Sequence, residues 1–327
     1  MGSLVEQRNK QIEGLRGIAL LLVVTYHLIC RFGQLYLNKD YYILHYFGSA
    51  GTSFFLLITA YYLGNTAFSC KDFSLGDFLK KRIGKLWPPY AVSVVVIYLF
   101  LIPFPLPGRK VEIGDLLLNL IMANGYLERP YVDGSHWYLT TIVSYIGIVG
   151  LFRKGKIADN WVPYMIWMMT GVFFKFLKVP FLGKVLGNNF IGYAVVGLIL
   201  YASIELKKRA DAGWIMTGIV ALFYIALVSG RAYFVELLVA VPIFIAVQYK
   251  KIGLLENGLL VKLGTVSYSI YLIHQNIGLS VEYQLMVLSG NYSIWYAVPA
   301  LIITAIIGSG VYFVVEKNIK KRKRKKI

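Results

Sequence analysis

Arg16 and His27 lie eleven residues apart in EGLRGIALLLVVTYH, an apolar run at 13–27 that also holds Glu13. Eleven residues of α-helix make about three turns and rise about 16 Å, so the guanidinium and the imidazole project from one face at different depths. Glu13, Gly17, Leu20 and Val24 complete that face. Ionisable groups inside a membrane span are costly and point at a partner or a wet cavity, so an acid, a cation and an imidazole in one stripe suggest a reaction site. An imidazole with a reference pKa of about 6.5 suits removal of a proton from an attacking hydroxyl. A permanently charged fork suits a phosphate or the carbonyl of a thioester. His27 is thus the candidate base, Arg16 the candidate anchor for the donor, and Glu13 the orienting partner of Arg16. The plainer alternatives are a histidine bonded to a neighbouring helix and a local ion pair between Glu13 and Arg16, three residues apart.

The elements that hold these groups follow from composition. Hydrophobic residues make up 57% of the 327, charged residues 15%, and mean hydropathy is +0.62, which excludes an ordinary soluble domain. The expectation is an all-α, polytopic integral membrane protein. Apolar stretches give about ten transmembrane helices, near 12–32, 46–66, 86–104, 136–153, 160–178, 188–205, 212–229, 232–249, 263–285 and 293–316. Placing both termini in the cytoplasm puts most of the 34 Lys and Arg residues on the cytoplasmic side, as positive-inside retention requires. Lys175, Lys178 and Lys184 violate that pattern and fall on the outer side. The net charge of +18 flanks apolar spans, so lipid headgroups and not nucleic acid are its expected partner. The basic run KNIKKRKRKK at 317–326 reads as a cytoplasmic tail held on an anionic leaflet.

The chain reads as one transmembrane domain, 1–327, without a soluble module. The first apolar run lacks a signal-peptide cleavage pattern and reads as a retained span. Cys30 and Cys70 fall on opposite membrane faces, which excludes a disulfide between them. The four histidines, at 27, 45, 136 and 274, show no ligand spacing, so no metal is expected. Segment 69–90, SCKDFSLGDFLKKRIGKLWPPY, reads as a cytoplasmic loop with a short amphipathic helix. Its Lys80, Lys81, Arg82 and Lys85 suit the phosphates of coenzyme A or serve as a positive-inside anchor. The external loop 105–135 holds LLLNLIMAN, too short to span and therefore re-entrant or interfacial. Ser267, Tyr271, His274 and Gly278 form a second polar stripe, suited to positioning a substrate or to a tyrosine–histidine packing contact. His136 and Trp137 open a span where a tryptophan offers a platform for a sugar ring or an aromatic-belt contact.

EGLRGIALLLVVTYH resembles the first helix of the acyltransferase type 3 family, integral membrane enzymes that acylate surface sugars, in which an arginine and a histidine are separated by ten residues. GTSFFLLITAYYLG at 51–64, KKRIGKLWPPY at 80–90, HWYL at 136–139, SYSIYLIHQ at 267–275 and Glu316-Lys317 continue the resemblance in order. Two departures stand out. Thr59-Ala60 occupies the place of a Ser-Gly pair found in many relatives. Ile142 stands where relatives fused to an extracytoplasmic esterase-like domain carry glutamate, so the chain is similar to the stand-alone branch.

The resemblance implies a cell-membrane O-acyltransferase moving an acyl group, acetyl in the first place, from acyl-CoA to a hydroxyl of a surface polysaccharide or lipid-linked glycan. In that reading His27 is the base, with Arg16 and Glu13 beside it. Arg82, Lys85 and Lys81 hold acetyl-CoA, while His136, Trp137, Tyr271, His274 and Ser267 face the acceptor. One cavity crossing most of the bilayer would let donor and acceptor meet. The rival readings are a secondary transporter, which also buries ionisable groups among its helices, and a non-catalytic subunit of an envelope glycan machine.

Overall fold

The computed structural model describes residues 9–69, 72–207 and 211–324, and Cys70 lies outside them. Asn9 caps α1 (Lys10–Thr25) by accepting the Gln11 N–H, and helical backbone continues through wider π-type turns to Leu37. His27 sits in the first of those turns, Tyr26–Arg31, a distortion that is frequent at functional sites. α2 (Tyr42–Ala67) returns beside α1. Ser74 caps α3 (Leu75–Phe100), which runs unbroken through Pro88 and Pro89. The short helix expected at 69–90 and the span expected at 86–104 are therefore one helix of 26 residues.

α4 (Ile113–Leu120) is the short apolar piece of the 105–135 loop. It packs on α3, and its Leu120 carbonyl accepts from Trp87 Nε1 at 2.7 Å, halfway along that helix. The chain then climbs back through Asn119, whose side chain bonds the Pro130 carbonyl and the Val132 N–H. Next come α5 (Trp137–Lys154), α6 (Val162–Phe176), α7 (Pro180–Leu186), α8 (Ile191–Ile204), α9 (Ala212–Tyr224) and α10 (Arg231–Gln248). The last group is α11 (Gly258–Tyr271), α12 (His274–Ser289), α13 (Ala297–Val311) and α14 (Lys317–Arg324).

Among the described residues no strand is present, and seven helices are long and apolar enough to cross a membrane. An eighth follows if α7 and α8, bent by 52°, count as one. The difference from ten expected spans has a physical source. The run at 263–285 is broken at Leu272–Ile273 into α11 and α12, and α6 is apolar but only 15 residues long.

α1 lies in the middle, against α2 on one side and α11 on the other. Its contact with α11 is backbone on backbone. A Cβ on Gly17 would lie 2.4 Å from the Leu260 carbonyl oxygen, and one on Gly264 would lie 1.7 Å from that of Glu13. Small residues at such a seam let helices in lipid gain dispersion contact that the hydrophobic effect does not supply there. The bundle end where α1 begins is called the proximal face below, and the other the distal face.

Candidate active site

Two imidazoles meet where α1 passes the break between α11 and α12. His27 Nδ1 lies 2.9 Å from the Val23 carbonyl oxygen and 3.1 Å from His274 Nε2, with the rings edge to face at 4.8 Å. His274 Nδ1 lies 2.6 Å from the Tyr271 carbonyl. Carbonyl oxygens only accept, so both Nδ1 atoms carry hydrogen. Neutral His274 then presents an Nε2 lone pair to the His27 Nδ1–H. By elimination, His27 Nε2 is left as a free lone pair on a half-buried ring.

The helix break supplies the carbonyls that organise this cluster. Where α11 ends, Tyr271 and Leu272 have carbonyls outside the regular ladder, and His274 and His136 take them, His136 Nε2 donating to Leu272 at 2.7 Å. Non-helical backbone at membrane depth requires such compensation. Asp133, fully buried, accepts from the Ser135 N–H and hydroxyl at 2.9 and 2.6 Å and from the Asn276 N–H at 2.9 Å, at the start of α12. Tyr271 donates its hydroxyl to the Ser135 carbonyl. Asp133 therefore ties the turn before α5 to the turn before α12, with a negative charge among three histidines. His136 Nδ1, Gln275 Oε1 and Asn276 Oδ1 are buried with no partner among the described residues, and buried polar atoms of this kind mark places for water or ligand.

On the proximal side lies a cavity of about 340 Å³, bounded by Arg16, Arg82, Lys85, Tyr268, Tyr271 and Glu316. Arg16 sits 3.7 Å from Glu13 with about a quarter of its side chain exposed. Arg82 donates to the Tyr62 carbonyl and the Thr66 hydroxyl at 3.4 and 3.3 Å. Glu316, in another π-type turn, accepts from Ser269 at 2.9 Å. Phe55, Tyr138 and Tyr271 form an aromatic wall at the inner end, with Tyr138 and Tyr271 ring centroids 5.5 Å apart. His27 is beyond that wall, next to His274, whose ring is 5.4 Å from Tyr271. The cavity that crosses most of the bilayer in the sequence reading is thus two regions with an aromatic partition.

The other expected residues divide. Lys81 is exposed and does not bound the cavity, because it lies off the helical phase of Arg82 and Lys85. Ser267 turns its hydroxyl back on its own helix, to the Gly264 carbonyl at 2.8 Å. Trp137 stacks on Phe190 at 5.2 Å. Thr59 bonds Tyr138 at 3.0 Å and bounds the cavity. Beside it Ala60 packs on Gly197, where an added Cβ would come within 2.5 Å, so the small residue of this contact is on α8. Sequence spacing shows no metal set, yet Cys30, Asp40 and His45 bring potential ligand atoms within 4.8 Å of one another. Only the turn between α1 and α2 brings them together. Bonds from His45 and Gln34 hold the Asp40 carboxyl below its ordinary range.

Asp133, Gln275 and Asn276 escape sequence reasoning. Their partners are set by a helix break inside what reads as one apolar run. The signal that points there is DGSHWYL, an acid and two turn formers directly before a histidine.

A family profile described as an acyltransferase domain matches residues 9–314, nearly the whole chain, and takes in the histidine cluster, Asp133, Arg16 and Arg82. The chain belongs to the acyltransferase type 3 family. Among curated relatives, this family member is similar to a Komagataeibacter xylinus protein named "Putative membrane-bound transacylase BcsY", at 26% identity over 133 residues. That match covers 41% of this chain and 30% of the relative. No solved structure matches. Family membership and the apolar helices make the chain a multi-pass membrane protein of that family.

Proposed function

We propose that this acyltransferase moves an acyl group, acetyl in the first place, from acyl-CoA to a hydroxyl of a surface or lipid-linked glycan. The donor approaches from the proximal face, taken as cytoplasmic. Arg82 and Lys85 at the cavity suit the coenzyme A phosphates as charged donors. The cavity has room for the pantetheine arm and its thioester, which Arg16 would meet from α1. Lys81 would steer the nucleotide outside.

The acceptor hydroxyl loses its proton to His27 Nε2 as its oxygen attacks the thioester carbonyl. A C–O bond forms, the C–S bond breaks, and the proton on Nε2 is then available to the departing sulfur. His274 holds the His27 tautomer that this step needs, and Asp133 stabilises positive charge as it develops on the rings. Arg16 opposes charge on the carbonyl oxygen. The unpartnered oxygens of Gln275 and Asn276 offer acceptors to sugar hydroxyls, with His136 beside them. For the two regions to connect, the Tyr138–Tyr271 partition must open by a side-chain rotation.

The observation that carries this reading is the lone pair left on His27 Nε2 by the bonds at its other nitrogen. The test is transfer of labelled acetyl from acetyl-CoA to glycan by purified protein, with His27→Ala as the comparison. Transfer by the native chain and its loss in the variant are expected. A folded variant with full transfer contradicts the assignment.

A further inference from the structure

Lys175, Lys178 and Lys184 have no part in the reaction above, and they occupy the distal face, where loops of membrane proteins are ordinarily poor in basic residues. Their place at that face follows from contacts. Lys175 Nζ donates to the Val228 carbonyl at 2.6 Å, just before the chain enters α10, and Glu236 near the start of α10 accepts from Ser49 and Ser53 near the start of α2.

The three lysines line one cavity of about 280 Å³ together with Asn188 and Asn189. Lys184 pairs with Glu128 at 3.1 Å, whereas the Lys178 ammonium has no hydrogen bond or ion pair among the described residues. Three ammonium groups and one carboxylate leave two positive charges uncompensated. Phe174, Val179 and Pro180 complete the cavity wall, and along the same stretch of chain Phe173, Phe176, Leu177 and Phe181 are exposed, Phe176 by 82%. Cations in a cavity beside exposed apolar side chains fit a ligand with an anionic head and a hydrocarbon tail. The cavity wall is also tied to the active-site shell. The Lys184 carbonyl accepts from Ser144 of α5 at 2.8 Å, and Phe190, directly after the two asparagines, stacks on Trp137 beside His136.

We propose that this cavity seats the diphosphate of a lipid-linked sugar, holding the acceptor glycan at the distal side of the histidine cluster. The inference rests on the acyltransferase reading. A diphosphate joining a lipid to a sugar carries two negative charges, which matches the uncompensated pair, whereas the phosphodiester of a bilayer lipid matches only one. Lys ammonium groups and Asn amides supply donors to the phosphoryl oxygens, and the exposed phenylalanines lie along the lipid tail.

Binding of farnesyl diphosphate to the purified full chain in zwitterionic nanodiscs tests the proposal, with farnesol and phosphatidylglycerol as comparison ligands. The proposal predicts saturable binding of the diphosphate, weak binding of both comparison ligands, and affinity lowered at least about tenfold in Lys178→Gln/Lys184→Gln, the loss expected for charged hydrogen bonds. Lys178→Arg/Lys184→Arg keeps the charge and retains binding, which separates loss of charge from loss of fold. His27→Ala binds the diphosphate like the native chain, so failure of the chemistry is distinguishable from failure of this site. Unchanged affinity in the glutamine variant overturns the proposal, as does phosphatidylglycerol binding as tightly as the diphosphate.

Discussion

The two polar regions of the interior are built on opposite terms. On the proximal side Arg16, Arg82, Lys85 and Glu316 border an open cavity. Beyond the Tyr138–Tyr271 partition, His274, His136 and Asp133 are buried, and their bonds go to carbonyls and amides of a broken helix. The cations stay at the open cavity, because burying an unpaired charge is costly, whereas the buried carboxylate of Asp133 is held by three donors from Ser135 and Asn276. The imidazoles tolerate burial because a neutral ring carries only one donor and one acceptor, and the helix break supplies the carbonyls that take the donors. The difference separates the labour: the open region suits holding an anionic donor, and the buried region fixes one proton arrangement.

That division can be broken or sharpened by substitution. The largest effect is expected from His27→Ala, a loss of transfer of about 10²–10⁴-fold, the usual contribution of general base catalysis, with donor binding retained. If donor binding falls with transfer, the two regions are not separate. Asp133→Asn comes next, because it removes the charge and one acceptor that join the turns before α5 and α12. Transfer falls about 10- to 100-fold, the range for a lost charged hydrogen bond, while acetyl-CoA affinity is unchanged in a direct binding measurement.

Gly264→Ala tests the seam that carries both regions. Its Cβ would strike the Glu13 carbonyl, so α1 and α11 must part. We expect a lower melting temperature for the detergent-solubilised protein, equivalent to about 1–3 kcal/mol, and weaker donor binding through the displaced Arg16. The smallest effect belongs to Ser267→Ala, whose hydroxyl is bonded within its own helix. Rates within about twofold of native are expected, and a large loss would place Ser267 in the chemistry after all.

How much of this was legible depended on whether a residue's partner lies on its own helix. Arg16 lies in α1 and His27 in the π-type turn that continues it, so their spacing alone puts them on one face, and the structure turns both toward α11 and α12. Arg82 and Lys85 follow from the same rule, and Lys81 fails it by one position. The helical class and the seven longer spans follow from apolar length. The breaks at Gly187 and at Leu272–Ile273 do not, because an apolar run reads the same whether or not its ladder is interrupted. Gly187 adopts a positive φ of 67°, a turn that sequence hydropathy cannot register. Asp133 and the Cys30–Asp40–His45 group were hidden for a related reason: turns bring them to partners that lie outside any periodic pattern.

The most direct test measures acetyl-CoA affinity and acetyl transfer side by side in Arg16→Ala and His27→Ala. The account predicts opposite signatures. Arg16→Ala binds donor weakly, whereas His27→Ala binds it like the native chain and transfers almost nothing. Equal losses of binding and transfer in both variants, or native transfer by His27→Ala, would contradict the division between an open donor cavity and a buried proton-handling cluster.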